Sequence, residues 1–439
     1  DLMRLHKKTP RRIYEEVYIT IHPGTLSRDG TWATRLISTC DHCGLCKEVC
    51  PQHIDFGDFL LKSMRAMRKK GAMPWPFHDF WLRDMAYSSG KVKVCRRPEG
   101  VKRSGYAFFP GCQLAGSDPR YVTKTYEWLV SKKSDTAIWM TCCGAPAEWA
   151  GEEELYASHL EQMRKEWREL GEPTVILACP NCAKLFKQYL PEIPTVFLTE
   201  VMEEWGIPEG ASAGNGVSYG LFDPCASREF PNLQENVRRV AAQAGISFER
   251  LSYEGEKARC CGYGGHISIA APGHTKYMTM SRAGEGDMPY LTYCVNCRES
   301  FAGQEKEAVH ILDLLFDLEN AGRPAATVTE RWANRMTAAR ELLKNYWHET
   351  MEEEEHMDLK VDKELERKLS DSQILVSDME QVIEACEREG RGAVDPETGR
   401  RIGHLKIQNI TYWAEYEALS GGGYQLWNGY SHRMNLEGE

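Results

Sequence analysis

No stretch of this 439-residue chain is apolar over the about 18 residues that a membrane-crossing helix needs; TVILAC at 174–179 is typical of its longest runs. Excess positive charge is lacking too. Against 54 basic side chains stand 64 acidic ones, a net of −10, so a nucleic-acid partner has no electrostatic support. The opening DLMRLHKKTPRRIYEEV is charged throughout and does not read as a secretory signal. Asp1 is not an initiator, so the native chain is expected to begin earlier. There is no G-x-G-x-x-G and no Walker motif, which places any flavin or nicotinamide on another subunit. Cysteine, at 16 residues, falls well short of the more than about 8% that marks a disulfide scaffold. Sixteen thiols in a chain expected to be cytoplasmic point instead to metal or redox chemistry.

Those thiols are patterned. Cys40, Cys43, Cys46 and Cys50 form one cluster, and ten more form two sets of five. The sets are Cys112, Cys142, Cys143, Cys179, Cys182 and Cys225, Cys260, Cys261, Cys294, Cys297; Cys95 and Cys386 are left over. Corresponding members are 113 residues apart (112 to 225), 118 apart (142 to 260, 143 to 261) or 115 apart (179 to 294, 182 to 297). The surrounding text repeats as well: FFPGC and FDPC, CCGAP and CCGYGG, CPNC and CVNC. Five cysteines recurring in order at one period are an internal duplication, at the size of a small domain.

Apolar runs ending at cysteine motifs (YAFFPGC, TAIWMTC, PTVILAC, VSYGLFDPC, PYLTYC) alternate with amphipathic stretches such as EEELYASHLEQMRKEWREL. That alternation predicts an α/β fold with parallel sheets and sites at the carboxyl ends of strands. The expected domains are a helical four-cysteine domain (1–105), two tandem Rossmann-like α/β domains (106–215 and 216–325), and a helical linker with a small C-terminal α+β module (326–439). A loop is expected around GAMPWP, a Gly/Ser-rich linker at 206–220, and one charged helical segment from Glu330 to Leu369.

CDHCGLCKEVCP (40–51) is C-x2-C-x2-C-x3-C-P, the spacing of a cubane [4Fe–4S] loop; a zinc ribbon needs two separated C-x2-C pairs. The fourth ligand is either Cys50, towards which we lean, or Cys95 with Cys50 serving a second cluster elsewhere. In the five-cysteine sets, two adjacent thiols suit neighbouring irons better than one tetrahedral ion. Gly144 and Gly262 would let the backbone come close at positive φ. A fifth thiolate in each set argues for a polynuclear site rather than zinc with a spare thiol.

A CCG-type five-cysteine motif present twice after a ferredoxin motif closely resembles the catalytic subunits of heterodisulfide reductases of the B and D types, over roughly residues 35–320. The resemblance implies two CCG domains, each five-cysteine set holding a noncubane [4Fe–4S] cluster, with a disulfide split between them. Family members with a ferredoxin part usually carry two cubane motifs, and one is visible here. The segments TYW-x-EY and YSHRM are similar to tails of reductase-like subunits of the DsrK type from anaerobic bacteria. The function implied is an iron–sulfur oxidoreductase subunit passing electrons through one cubane to noncubane clusters that reduce a sulfur–sulfur bond. The alternative is an electron relay for organic-acid or glycerol-3-phosphate oxidation, or for a bifurcating complex. Cys142, Cys143, Cys260, Cys261 and His266 are the catalytic candidates, with His266 giving a proton or hydrogen bond to a departing thiolate. Arg228 and Arg298 are candidates to offset thiolate charge or bind an anionic substrate, and Trp149 and Tyr263 read as pocket walls. Expected partners are redox-carrying subunits and a disulfide or small sulfur-carrier protein. The expected location is cytoplasmic, or peripheral at the inner membrane face through partners.

Overall fold

Short apolar runs that end at cysteines form the central strands, buried on both faces as parallel strands between helices must be. The computed structural model describes residues 2–22, 36–71, 77–212, 214, 216–319, 321–352 and 356–432. The expected GAMPWP loop lies outside these beyond Gly71, as do residues 213 and 215 of the linker and the end of YSHRM.

In the first sheet, β1 (Val94–Arg96) pairs antiparallel with β3 (Ala137–Met140). β2 (Tyr106–Phe109) lies between β3 and β4 (Thr174–Leu177), and β5 (Thr195–Phe197) forms the far edge, all parallel. The second sheet runs β7 (Ser247–Arg250), β6 (Ser218–Phe222), β8 (Tyr290–Thr292), β9 (Ala308–His310), again parallel. With β1 set aside, the orders β3-β2-β4-β5 and β7-β6-β8-β9 correspond strand for strand. The duplication of sequence is thus a duplication of topology, and the mixed α/β class with parallel-rich sheets stands.

Helices pack on the sheets through apolar faces. The helix Pro119–Lys132, capped by Asp118 on the Arg120 N–H, buries Tyr121, Val122, Tyr126 and Leu129. Ahead of the sheets, the helices Pro10–Ile21 and Phe56–Lys69 join Ile13 and Val17 to Leu60, Met64 and Met67, with Cys40 and Cys46 at the edge of that core.

Asp1–Ala325 with Asn334–Glu349 forms one compact unit, and Ala326–Ala333 with Thr350–Glu439 a second. In the second, strands β10 (Leu359–Lys360), β14 (Tyr424–His432), β13 (Ile410–Ala418), β12 (Arg401–Ile407) and β11 (Ala393–Val394) make a sheet in that order. The helices Lys363–Asp371 and Val376–Glu389 cover one face with Leu369, Met379 and Val382, and Cys386 is a plain buried thiol of that core. The expected single helix over 330–369 is not continuous. It stops at Trp347, and the chain resumes as β10 and a separate helix. No helix among the described residues is long and apolar enough to cross a membrane.

Candidate functional site

Both five-cysteine sets gather at the carboxyl ends of their parallel strands, where open α/β sheets hold ligands. Cys112 follows β2, Cys142 and Cys143 follow β3, and Cys179 caps the helix Pro180–Tyr189 that carries Cys182. Cys225 follows β6, Cys260 and Cys261 close the long loop after β7, and Cys294 caps the helix Val295–Ala302 that carries Cys297.

Within the first set, Cys112 Sγ lies 3.7 Å from Cys142 Sγ. Cys143 hydrogen-bonds Cys142 and Cys182, and Cys182 bonds Cys179. The second set repeats the order as Cys225, Cys260, Cys261, Cys297, Cys294. The two chains meet where Cys179 touches Cys294. Ten sulfurs therefore form one palindromic line, and the two repeats face each other across its centre.

Proton sharing follows the same symmetry along both arms of the line and breaks it at the centre. Neighbouring thiols and burial push Cys142 and Cys260 up, while the hydrogen bonds of those two pull Cys143 and Cys261 down. At the centre Cys182 and Cys294 pull Cys179 down, and Cys179 in turn raises Cys294. Gly144 (φ 87°) and Gly262 (φ 97°) turn the chain so that each N–H points at a sulfur, 3.4 Å to Cys142 and 3.3 Å to Cys260. A Cβ at Gly144 would press on Tyr156 and His159. All sixteen cysteines are free of disulfides, and soft thiolate donors massed in buried, N–H-lined turns fit iron–sulfur clusters.

A buried polar lock holds the repeats face to face. Ser117 Oγ donates to Glu299 at 2.5 Å, Tyr121 OH to Asp313 at 2.6 Å, and Arg323 Nη1 to the Ser117 carbonyl at 2.9 Å. Arg298, fully buried, belongs to this lock: it pairs with Glu299 at 2.7 Å and donates to the carbonyls of Ala308, Pro324 and Arg323. Arg228 is likewise a clamp, donating to the carbonyls of Cys43, Glu256 and Ala258. Backbone carbonyls around both arginines, and Glu299 beside Arg298, take up their donors.

The four-cysteine loop docks on the second set. Cys43 packs beside Cys225 and Cys260, and the Asp41 carboxyl hydrogen-bonds Cys260. Gly264 and Gly265 permit this, because a Cβ on either would overlap the carbonyl oxygen of Asp41 or Cys40. Burial and Asp41 raise Cys40 and Cys43. Cys50 is half-buried, and the N–H groups of Ile54 and Gln52 favour its thiolate. Cys95 is fixed in β1 opposite Trp139, pushed up to about 12 by burial, with none of the loop's cysteines acting on it.

Two clefts reach the sulfur line. One, with a cavity volume of about 80 Å³, is lined by Cys225, Cys260, Cys261, Cys294 and Cys297; another, of about 30 Å³, by Cys112, Cys142, Cys143, Cys179 and Cys182. Trp149 and Tyr263 wall both, as expected, and so do Asn181 and Asn296, which the sequence reading passed over. His266 follows the second CCG motif in sequence yet lines the cleft of the first set. It stacks on Trp81 at 4.0 Å and meets Trp149 edge-on at 4.7 Å. Burial holds it well below 6.5, so at neutral pH it is uncharged and offers at most an N–H hydrogen bond. The sequence also gave no sign of the buried Arg335–Asp84 pair, at 2.7 Å, from which Gln113 bridges to Cys112 Sγ.

Comparison with known proteins agrees with this geometry. The CCG cysteine-rich domain matches residues 106–187 and 219–299, and a 4Fe-4S dicluster domain matches residues 1–55. An uncharacterized iron-sulfur protein of Methanocaldococcus jannaschii is 24% identical over 266 residues, covering 56% of this chain and 52% of that protein. The EtfAB:quinone oxidoreductase of Syntrophomonas wolfei is 24% identical over 260 residues, covering 52% of this chain and 36% of that protein. The chain thus spans about half or less of the curated relatives it matches. No solved structure matches it. The fold, the site and these matches define an iron–sulfur protein with domains that bind [4Fe–4S]. The chain therefore carries two CCG cysteine-rich domains behind a 4Fe-4S dicluster domain.

Proposed function

We propose that this protein reduces a sulfur–sulfur bond, taking electrons at the Cys40–Cys50 loop and delivering them in pairs at the ten-thiol line. The observation that carries the reading is the junction of Cys179 with Cys294, which sets two matched cysteine sets face to face beside open clefts. Cys40, Cys43, Cys46 and Cys50 would hold a cubane [4Fe–4S] cluster, and each five-cysteine set a noncubane one. When bound, these groups supply one-electron steps and iron sites for sulfur.

Cys43 beside Cys225 makes the second set the point of electron entry, and the Cys179–Cys294 contact leads on to the first. Trp149 and Tyr263 shield both clefts from water, and His266 can hydrogen-bond a sulfur in the smaller one. One S–S bond breaks, two electrons and two protons are taken up, and two thiols leave. No nucleotide motif is present, so the electrons come from a flavin or other redox subunit of a larger complex.

The second reading is a relay that hands electrons to a quinone or another carrier without cleaving sulfur. The name of the Syntrophomonas relative, an EtfAB:quinone oxidoreductase, favours it. Anaerobic turnover with reduced viologen decides between them. Stoichiometric thiol release from a disulfide supports the first reading, and reduction of a quinone with no thiol release supports the second.

A further inference from the structure

Each copy of the C-x-x-C motif carries an asparagine before its second cysteine, Asn181 in CPNC and Asn296 in CVNC, 115 residues apart like the cysteines around them. Each is the second residue of its helix, behind a capping cysteine. The palindromic sulfur line pivots on those two cysteines, so the asparagines stand on either side of its centre. Both line both clefts. Asn296 is 4% exposed, and its Oδ1 is sealed from solvent without a hydrogen-bond partner among the described residues. A buried amide oxygen left unpaired is costly, and native proteins keep one where a ligand or ordered group completes it.

We propose that Asn181 and Asn296 are the acceptor-binding residues, each hydrogen-bonding, from its own repeat, neutral groups that flank the acceptor's sulfur–sulfur bond. The inference rests on the disulfide-reducing reading above. An amide both gives and takes a hydrogen bond and carries no charge. It therefore selects O–H, N–H or C=O groups beside sulfur rather than a carboxylate or phosphate. The two arginines that the sequence offered for an anion are held by backbone carbonyls and Glu299, and Lys184, which also lines the larger cleft, donates to the His42 carbonyl.

The probe is bis(2-hydroxyethyl) disulfide, whose hydroxyls flank its S–S bond. Its binding to the oxidised, iron-loaded protein is measured by calorimetry with no electron donor present, and its turnover separately with reduced viologen. For Asn181→Ala and Asn296→Ala the dissociation constant and KM should each rise about tenfold, the effect of one lost buried hydrogen bond. The kcat, iron content and low-temperature EPR spectrum should stay at wild-type values. Asn296→Ser, which keeps a small hydroxyl, should fall between. Unchanged binding in both alanine variants would overturn the proposal. Iron loss in the alanine and serine variants alike would also overturn it, since the amides would then hold the clusters. A wild-type protein that binds the probe but releases no thiol would overturn disulfide reduction while keeping the binding role. One that does not bind it would overturn the asparagine assignment.

Discussion

Cys179 and Cys294 occupy the same position in the two repeats and touch across the boundary between them. Neither set is therefore a closed site, and each presents its last thiol to the other. Cys294→Ala is expected to lower the iron content from about twelve per chain to about eight or fewer, while the Cys40–Cys50 signal persists. Iron and sulfide analysis with EPR on anaerobic protein checks this; wild-type protein with four or fewer irons would rule out two noncubane clusters.

The close approach of Gly264 and Gly265 to the Cys40–Asp41 carbonyls fixes how the four-cysteine loop meets the second set. Gly265→Val is expected to destabilise the protein by about 1–3 kcal/mol through overpacking, and to slow electron passage to the ten-thiol line. Denaturant unfolding and stopped-flow reduction measure the two effects. Wild-type kinetics in that variant would remove the loop from the electron path.

Asp84 and Arg335 are both 2% exposed at their side chains. Arg335→Met should cost about 3–5 kcal/mol because it takes the guanidinium from a buried carboxylate to which Gln113 also donates, and Asp84→Leu in the same chain should restore most of the loss. A double-mutant cycle by anaerobic chemical unfolding gives the coupling.

His78 is 1% exposed, neither ring nitrogen has a partner among the described residues, and burial lowers it to about 3. An unfolded chain binds a proton at this side chain near pH 6.5 and the folded chain does not. Stability is therefore fully present above about 6.5 and declines as pH falls towards 3, over a span worth about 5 kcal/mol. His78→Phe should flatten the fall in unfolding midpoint between pH 7.5 and pH 5. An unchanged pH slope would show that other groups govern it.

The cysteine spacing and strand-end runs made the duplicated α/β fold legible, because both depend on local periodicity. What stayed illegible were relationships between distant segments. Arg228 and Arg298 follow cluster cysteines in sequence, yet each side chain turns to carbonyls that only the fold brings near. His266 reads as part of the second set, and the two-fold arrangement delivers it to the first. Asn181 and Asn296 were visible in CPNC and CVNC, but an asparagine gains meaning only when the fold buries one and faces both to the same clefts. The helix expected over 330–369 ends instead at Trp347, and the chain resumes as β10 and a separate helix.

The central claim is that electrons arriving at the Cys40–Cys50 loop end in a broken sulfur–sulfur bond. The measurement is anaerobic titration of thiols released from bis(2-hydroxyethyl) disulfide by protein supplied with reduced viologen, with Cys261→Ala beside the wild type. The account predicts two thiols for every two electrons consumed by the wild type, and none from Cys261→Ala although its Cys40–Cys50 signal is intact. Electron consumption without thiol release in the wild type, or undiminished release in Cys261→Ala, would contradict it.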